Sequence, residues 1–222
     1  MKKIIALILA AVCAFCMTAC GNENTKDNDT STLASTSSNV ESELSNSSSK
    51  PQVDYTELAA TVKTKAQEAL KSVVKDSMTP VEKAKIAYEW LYWHFKYRAQ
   101  TVDVSNGYTD ELTLELASYY FKYHKGSCEH YAAAQKVLLE ELGFEVKYVE
   151  GDRIDSGSGQ WGEHVWVMIN VDGNWYHVDG LFGGNHTAYL QTMFCVPDSA
   201  IESTHRWDKS KYPACTNPQI LK

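Results

Sequence analysis

The chain has 222 residues, of which 44% are hydrophobic, and its 21 basic and 28 acidic residues give a formal net charge of −7. An acidic chain without a basic run is a poor match for a nucleic-acid surface, so we expect no nucleic-acid partner. The length beyond residue 51 suits one domain of ordinary size.

The first twenty residues have the pattern of a secretion signal. Lys2 and Lys3 precede an apolar run, residues 4–16, that is shorter than the roughly 20 residues of a membrane span. Met-Thr-Ala-Cys at positions 17–20 resembles the lipobox of bacterial lipoproteins, whose cysteine is lipidated and becomes the new N-terminus. This resemblance implies a lipid on Cys20 that holds the protein on the extracytoplasmic face of the cell membrane. The alternative is an ordinary signal peptide that releases a soluble protein.

Residues 21–51 predict a disordered linker. The segment is almost entirely serine, threonine, asparagine and charged residues, and it contains no aromatic residue. Such a segment buries too little apolar surface to offset the entropy of ordering it. We therefore expect a flexible stalk over 21–51 and a folded domain over 52–222, with a core over about 80–185.

Helices are predicted between residues 54 and 142. Thr79-Pro80-Val81-Glu82 combines an N-cap threonine, a proline at the first helical position and a glutamate three residues after the cap. It predicts a helix that continues through Tyr97. The other predicted helices are 54–74, from apolar residues at a spacing of four; 113–121, introduced by Asp110; and 128–142, capped by Ser127 and ended by Gly143.

From Phe144 onward the hydrophobic period changes to the two-residue period of strands. Strands are predicted at FEVKYVEG (144–151), HVWVMINV (164–171) and NWYHVDG (174–180), and Asp172-Gly173 predicts a tight hairpin between the last two. The domain is therefore predicted to be α+β, with N-terminal helices packed on an antiparallel sheet.

The predicted hairpin brings a histidine and an aspartate together. A two-residue loop at Asp172-Gly173 places Trp166 opposite Asp179. Because alternate residues of a strand share a face, His164 and Asp179 become diagonal neighbours, close enough for a carboxylate to reach an imidazole. His177 falls on the same face and is a rival base. His164 is preferred because it begins its strand, at a loop edge that a substrate can approach.

The cysteines divide by position. Cys13 and Cys16 leave with the signal, Cys20 carries the lipid, and Cys128, Cys195 and Cys215 remain. In an oxidising exterior, a disulfide between Cys195 and Cys215 is the simplest pairing and leaves Cys128 as a free thiol. The alternative is that all three thiols are free. No cysteine spacing resembles a zinc ribbon, and we expect no metal site.

Four features in chain order resemble the transglutaminase-like superfamily over about residues 80–185. They are Gly126-Ser127-Cys128 opening a helix, Gly151 ending a strand, His164-Val165-Trp166 on the next strand, and Gly-Asn-Trp-Tyr-His-Val-Asp at 173–179. The resemblance implies a papain-like core without a cofactor. It implies Cys128 as nucleophile, His164 as base and Asp179 as the group that orients the base.

The residue types suit that chemistry. A thiolate attacks a carbonyl far better than a thiol does, and a helix N-terminus favours the anion at Cys128. An imidazole takes the thiol proton, and a carboxylate fixes the imidazole tautomer. Trp161, in the loop just before His164, and Tyr108 are candidates for the wall of the substrate cleft.

Three functions fit this pattern. The first is a thiol peptidase or amidase that acts on a peptide or protein substrate, including a cell-wall peptide. The second is a protein-glutamine transglutaminase, which shares the thioester intermediate but passes the acyl group to an amine instead of water. The third is a non-catalytic binding module on a surface lipoprotein, which the intact triad disfavours.

Overall fold

A computed structural model describes residues 52–155, 157–181 and 187–220. The predicted signal peptide over 1–20, the lipidation of Cys20 and the linker over 21–51 lie outside these residues. In the part of the chain that is described, no helix is both long enough and apolar enough to cross a membrane.

Three helices begin where the capping residues predict, whereas the helix predicted over 113–121 begins three residues earlier, at Asp110, with Thr109 as its N-cap. Asp54 accepts hydrogen bonds from the amides of Thr56 and Glu57 at the start of the first helix. Thr79 and Glu82 form a capping box at the start of the second, which confirms the sequence motif. The helices are α1 (Tyr55–Lys71), α2 (Pro80–His94), α3 (Asp110–Tyr123), α4 (Cys128–Glu141), α5 (Thr187–Thr192) and α6 (Asp198–Ile201).

The end of α2 differs from the prediction, which extended the helix through Tyr97. The chain becomes extended after His94 because its next amides find partners elsewhere. The Lys96 amide donates to the His124 carbonyl at 2.9 Å, and the Arg98 amide donates to the Gly126 carbonyl at 2.7 Å. Strand β1 (Lys96–Tyr97) therefore pairs in parallel with β2 (Lys125–Gly126). This small sheet fixes the chain just before Cys128.

The main sheet has the order β5-β4-β3-β6 and is antiparallel throughout. The predicted hairpin is confirmed, since Val171 pairs with Asn174. Asp172 and Gly173 both have positive φ, 52° and 85°, as a two-residue hairpin turn requires. The strands are β3 (Glu145–Ile154), β4 (Trp161–Val171), β5 (Asn174–Val178) and β6 (His205–Trp207), and a 3₁₀ turn follows at Lys209–Lys211.

The two faces of the sheet are covered by different parts of the chain. Val165, Val167 and Ile169 of β4 belong to a buried cluster with residues of α2 and α4. Trp166 and Met168, which alternate with them, belong to another cluster with residues of the segment after α5. The predicted α+β arrangement of helices on an antiparallel sheet is therefore confirmed, and the C-terminal segment covers the second face.

Strand β6 was not predicted, and a glycine makes it possible. β6 pairs with β3 so that Trp207 lies opposite Gly151 and His205 lies opposite Arg153. A β-carbon at Gly151 would overlap the carbonyl oxygen of Arg206. The bare backbone at Gly151 lets β6 approach the sheet, and β6 in turn carries His205 toward the end of β4.

The predicted disulfide between Cys195 and Cys215 is wrong for this structure, in which both are free thiols. Cys195 is buried in the cluster on the helix-facing side of the sheet, whereas Cys215 is buried in the cluster on the opposite side. Each sulfur fills its own part of the core, as free cysteines commonly do. Cys128 is the third free cysteine, so the alternative of three free thiols describes the structure.

Candidate active site

Cys128 is the first residue of α4, and Ser127 is the N-cap. The side chain of His130 folds back over this helix start, where its Nδ1 accepts a hydrogen bond from the Ser127 amide at 3.3 Å. Gly126 leaves room for the ring, since a β-carbon there would lie 2.5 Å from the His130 side chain. The role of His130 is therefore to hold the chain at the entrance of the helix.

The surroundings of the Cys128 thiol favour its protonated form. Its Sγ donates a hydrogen bond to Glu129 Oε2 at 3.3 Å. The backbone of Val165, next to His164, also hydrogen-bonds the sulfur and acts in the opposite direction, since it lowers the pKa of the thiol. Burial raises the pKa of the thiol, and the charge of Glu129 adds to the rise, bringing it to about 12. Desolvation and the neighbouring carboxylate therefore act against the helix terminus, which favours the anion.

His164 and Asp179 lie together as the hairpin register predicts. His164 Nε2 is 2.9 Å from Asp179 Oδ2, and the two residues are only 7% and 4% exposed. Asp179 follows the end of β5, and its Oδ1 accepts a hydrogen bond from the Leu181 amide at 2.9 Å. Hydrogen bonds to both oxygens therefore hold the carboxylate in a fixed orientation toward the imidazole.

The charge states of this pair suit a base and its orienting group. Burial alone raises the pKa of Asp179, but neighbouring His164 and His205 outweigh it and hold the pKa well below the usual value. Burial lowers the pKa of His164, and the nearby carboxylate offsets only part of that effect. An ionised carboxylate only accepts hydrogen bonds, so Nε2 of His164 carries the proton and Nδ1 keeps its lone pair. A neutral imidazole with a free Nδ1 lone pair is a competent general base.

His205 is a neighbour of this pair that the sequence did not predict. Its Nε2 lies 3.1 Å from the same Asp179 Oδ2, and the residue is 1% exposed. The histidine comes from β6, far along the chain from the predicted triad. One signal in the sequence could have found it: His205-Arg206-Trp207 repeats the His-x-Trp spacing of His164-Val165-Trp166.

The rival base, His177, has a structural role. Its Nδ1 accepts a hydrogen bond from Trp166 Nε1 at 3.0 Å, and its Nε2 is 2.9 Å from Asp198 Oδ1. Burial lowers its pKa to about 4, which keeps the ring neutral at physiological pH. Both ring nitrogens are occupied within the core, so we assign His177 no part in proton transfer.

Among the described residues, two groups of side chains have donor atoms close enough to hold a metal: His164, Asp179 and His205, and His177, Asp198 and Cys215. In the second group, an indole N–H can only donate, so Trp166 requires a lone pair on His177 Nδ1 and a proton on Nε2. A protonated nitrogen does not ligate a metal. In the first group, both histidines direct Nε2 at a carboxylate that needs donors. Hydrogen bonding therefore accounts for both groups.

Cys128 and His164 border the same two cavities. The first, of about 200 Å³, has Trp161 in its wall, and the guanidinium of Arg206 stacks 3.7 Å from the centre of that ring. The second, of about 380 Å³, has Tyr108 in its wall. The two predicted cleft residues therefore both lie beside the thiol, in separate cavities.

The cavity that contains Tyr108 is strongly acidic. Among the described residues, its only charged side chains are the carboxylates of Glu129, Glu150, Asp152 and Glu163. The cavity that contains Trp161 is mixed, because it also holds Arg153. An ammonium group is favoured over a carboxylate in the acidic cavity by simple charge attraction.

An aromatic cavity of about 190 Å³ adjoins the first cavity and shares Tyr97 and Leu181 with it. Trp93 and Tyr97 are 63% and 58% exposed, which is unusual for large aromatic side chains. The path from the thiol past Tyr97 thus leads onto an exposed apolar surface that suits an extended substrate.

Comparisons with known proteins agree with the pattern of residues. The model of the transglutaminase-like superfamily matches residues 67–180. A search of curated proteins found no match. Similar solved structures include a transglutaminase (15% identity, TM-score 0.45, 64% of this chain and 36% of that chain) and a candidate cysteine protease from Cytophaga hutchinsonii (16%, 0.41, 55% and 38%). Another is an arylamine N-acetyltransferase from Bacillus cereus (16%, 0.40, 55% and 49%). The chain thus spans less than half the length of each.

The contact between Cys128 and Glu129 predicts the effect of a substitution. Glu129→Gln removes the carboxylate charge that helps to raise the pKa of the thiol. We expect iodoacetamide to label Cys128 roughly 3- to 10-fold faster at pH 8, because a larger fraction of the thiol is ionised. Glu163→Gln is the matched control, since Glu163 lines the same cavity without a hydrogen bond to the sulfur. Equal rates in both variants and the wild type would contradict this account of the thiol.

Proposed function

Because the chain belongs to the transglutaminase-like superfamily, we propose that it is a cysteine-dependent acyl-transfer enzyme that acts on amide bonds of peptides or proteins. Cys128 is the nucleophile, His164 the general base and Asp179 the group that orients the base. The observation that carries the proposal is the buried hydrogen bond of 2.9 Å between His164 and Asp179, beside the two cavities that also contain Cys128.

The reaction begins with the thiol protonated and the imidazole neutral. Cys128 turns from Glu129 toward His164, and Nδ1 takes the thiol proton as the sulfur attacks the carbonyl carbon of the amide. The imidazolium that forms is stabilised by the charge of Asp179. We assign the Cys128 backbone N–H, at the start of α4, as a donor to the developing oxyanion.

The second half of the reaction releases the products. The imidazolium gives its proton to the leaving amine as the C–N bond breaks, which leaves a thioester on Cys128. The acceptor, water or an amine, then loses a proton to His164 as it attacks the thioester carbonyl. Collapse of this second tetrahedral intermediate breaks the C–S bond and returns the thiol and the neutral imidazole.

We propose hydrolysis as the principal outcome. Two cavities open beside the thiol, and water reaches an open cleft without a dedicated binding site. The acidic cavity favours one second candidate, transamidation, because four carboxylates would concentrate a cationic amine acceptor near the thioester. For either outcome, the exposed aromatic surface at Trp93 and Tyr97 supports a peptide substrate, a cell-wall peptide among them.

The two outcomes are separated by the fate of the acyl group. The purified protein is incubated with glutamine-containing peptides and a labelled primary amine, and products are resolved by mass spectrometry. We expect ammonia and a new carboxylate, and little incorporated amine. Cys128→Ala should abolish turnover, and Asp179→Asn should lower kcat by roughly 10²- to 10⁴-fold, because the orienting charge is lost.

The control for this experiment is Asp198→Asn, which alters the contact between His177 and Asp198 and leaves Asp179 in place. We expect its kcat to stay within a few-fold of the wild type. Turnover that survives Cys128→Ala would contradict the assignment of the nucleophile. If most of the acyl product carries the labelled amine, the principal reaction is crosslinking and not hydrolysis.

We further propose that a lipid on Cys20 anchors the enzyme to the extracytoplasmic face of the membrane. The support is the arrangement of Lys2, Lys3, the apolar run and the Met-Thr-Ala-Cys sequence. Cells that express the full chain should incorporate labelled palmitate, and Cys20→Ala should lose the label. Cys16→Ala, in the segment that is removed, should keep it. Unchanged labelling in the Cys20 variant would refute the anchor.

A further inference from the structure

We propose that His205 is a positioning residue of the acyl-transfer site, which makes the C-terminal strand β6 a working part of that site. The inference rests on the proposed function and goes beyond the Cys128, His164 and Asp179 set. The residue lies outside residues 67–180, the range that matches the superfamily. Its contact is direct, since its Nε2 lies 3.1 Å from Asp179 Oδ2.

The geometry makes His205 a donor to the catalytic carboxylate. Asp179 Oδ2 accepts hydrogen bonds from His164 Nε2 at 2.9 Å and from His205 Nε2 at 3.1 Å. Its Oδ1 accepts a hydrogen bond from the Leu181 amide at 2.9 Å. Three donors thus surround one buried charge. Loss of the His205 donor would leave Oδ2 held by His164 alone, so the carboxylate would be free to tilt away from the imidazole that it orients.

The ring of His205 is itself held in place. Its Nδ1 lies 2.9 Å from Thr204 Oγ1, and its ring meets the Trp166 ring edge-on at 5.0 Å between centroids. Trp166 in turn stacks on His164, at 5.8 Å and an interplanar angle of 16°. Trp166 therefore contacts both of the imidazoles that hydrogen-bond Asp179. A substitution at His205 should thus affect the position of His164 in two ways, through the shared carboxylate and through the packing of Trp166.

The backbone around the site supports the same assignment. His205 lies opposite Arg153 in the β3–β6 pair, and Arg153 Nη1 donates to the Leu181 carbonyl at 2.7 Å. Leu181 is the residue whose amide holds Asp179 Oδ1. Strand β6 and the turn after Asp179 are therefore fixed by the same stretch of β3, next to Gly151, whose bare backbone admits β6.

His205 also affects the proton affinity of the base. The groups that act on His164 directly are Asp179 after β5, His205 on β6 and Arg153 on β3, and Cys128 on α4 borders the same cavities. The other titratable side chains that line these two cavities among the described residues are Tyr97, Tyr108, Glu129, Glu150, Asp152, Asp155 and Glu163. Asp179 raises the pKa of His164, while Arg153 and His205 lower it. Removal of His205 should therefore raise the pKa of His164 and move the acid limb of the pH–activity profile to higher pH. A residue with a merely structural role would leave that limb in place.

The test compares the full-length protein with three variants. His205→Phe keeps a ring but removes the donor, and His205→Gln keeps an N–H that can reach the carboxylate. Tyr212→Phe is the matched control, because it removes a hydrogen bond of 3.0 Å between the C-terminal segment and the Glu150 amide without touching Asp179. Amidase kinetics and the rate of Cys128 alkylation by iodoacetamide are measured from pH 5 to 9.

We expect His205→Phe to lower kcat by about 10- to 100-fold with KM within threefold of the wild type, in the range that mutation of orienting groups produces. Its acid limb should lie at higher pH in both assays. His205→Gln should recover most of the loss, and Tyr212→Phe should match the wild type. If the phenylalanine variant does not fold, the glutamine variant is used instead. Its kcat should be close to that of the wild type because it keeps the N–H, and its acid limb should lie at higher pH because the amide lacks the charge by which His205 lowers the pKa of His164.

Two results would overturn the proposal. One is a His205→Phe enzyme whose kcat and pH profile equal those of the wild type. The other is a His205→Gln enzyme that folds but shows the full loss, because the N–H would then be irrelevant. A wild-type protein that reacts with iodoacetamide but turns over no amide would count against the proposed function alone. The pH dependence of alkylation would still report on His205.

Discussion

The structure depends on one buried charge, the carboxylate of Asp179. An ionised group at 4% exposure is costly unless it is fully hydrogen-bonded, and here three donors surround it: His164, His205 and the Leu181 amide. Each donor comes from a different segment, namely β4, β6 and the turn after β5. The charge therefore links the two edge strands of the sheet, β5 and β6, and the same contacts that stabilise it fix the tautomer of His164.

The chemistry of the site follows from where the charges are placed. Burial and Glu129 keep the Cys128 thiol protonated, while burial keeps His164 neutral. In the proposed mechanism, a protonated thiol beside a neutral imidazole transfers its proton as it attacks, in contrast to sites where a thiolate–imidazolium pair exists beforehand. Glu129 thus acts against the helix terminus, and the free thiol is less exposed to adventitious oxidation because it is only rarely ionised.

Local sequence signals predicted much of this arrangement. The capping box at Thr79 and the hairpin at Asp172-Gly173 depend on neighbouring residues, and the hairpin register alone brings Asp179 to His164. The features that were missed depend on distant parts of the chain. β6 joins β3 only because Gly151 lacks a side chain, and the positions of Cys195 and Cys215 on opposite faces of the sheet follow from the path of the C-terminal segment. The raised pKa of Cys128 likewise depends on burial, which the helix start alone does not reveal.

In the proposed mechanism, Asp179 holds His164 as a neutral base with its proton on Nε2. Long-range ¹⁵N–¹H correlation NMR of the ¹⁵N-histidine-labelled protein at pH 7 reports this directly, with the His164 signals assigned by His164→Gln substitution. We expect a protonated Nε2 and an unprotonated Nδ1 for His164, and loss of that preference in Asp179→Asn. A proton on Nδ1 with a bare Nε2 in the wild type would contradict it.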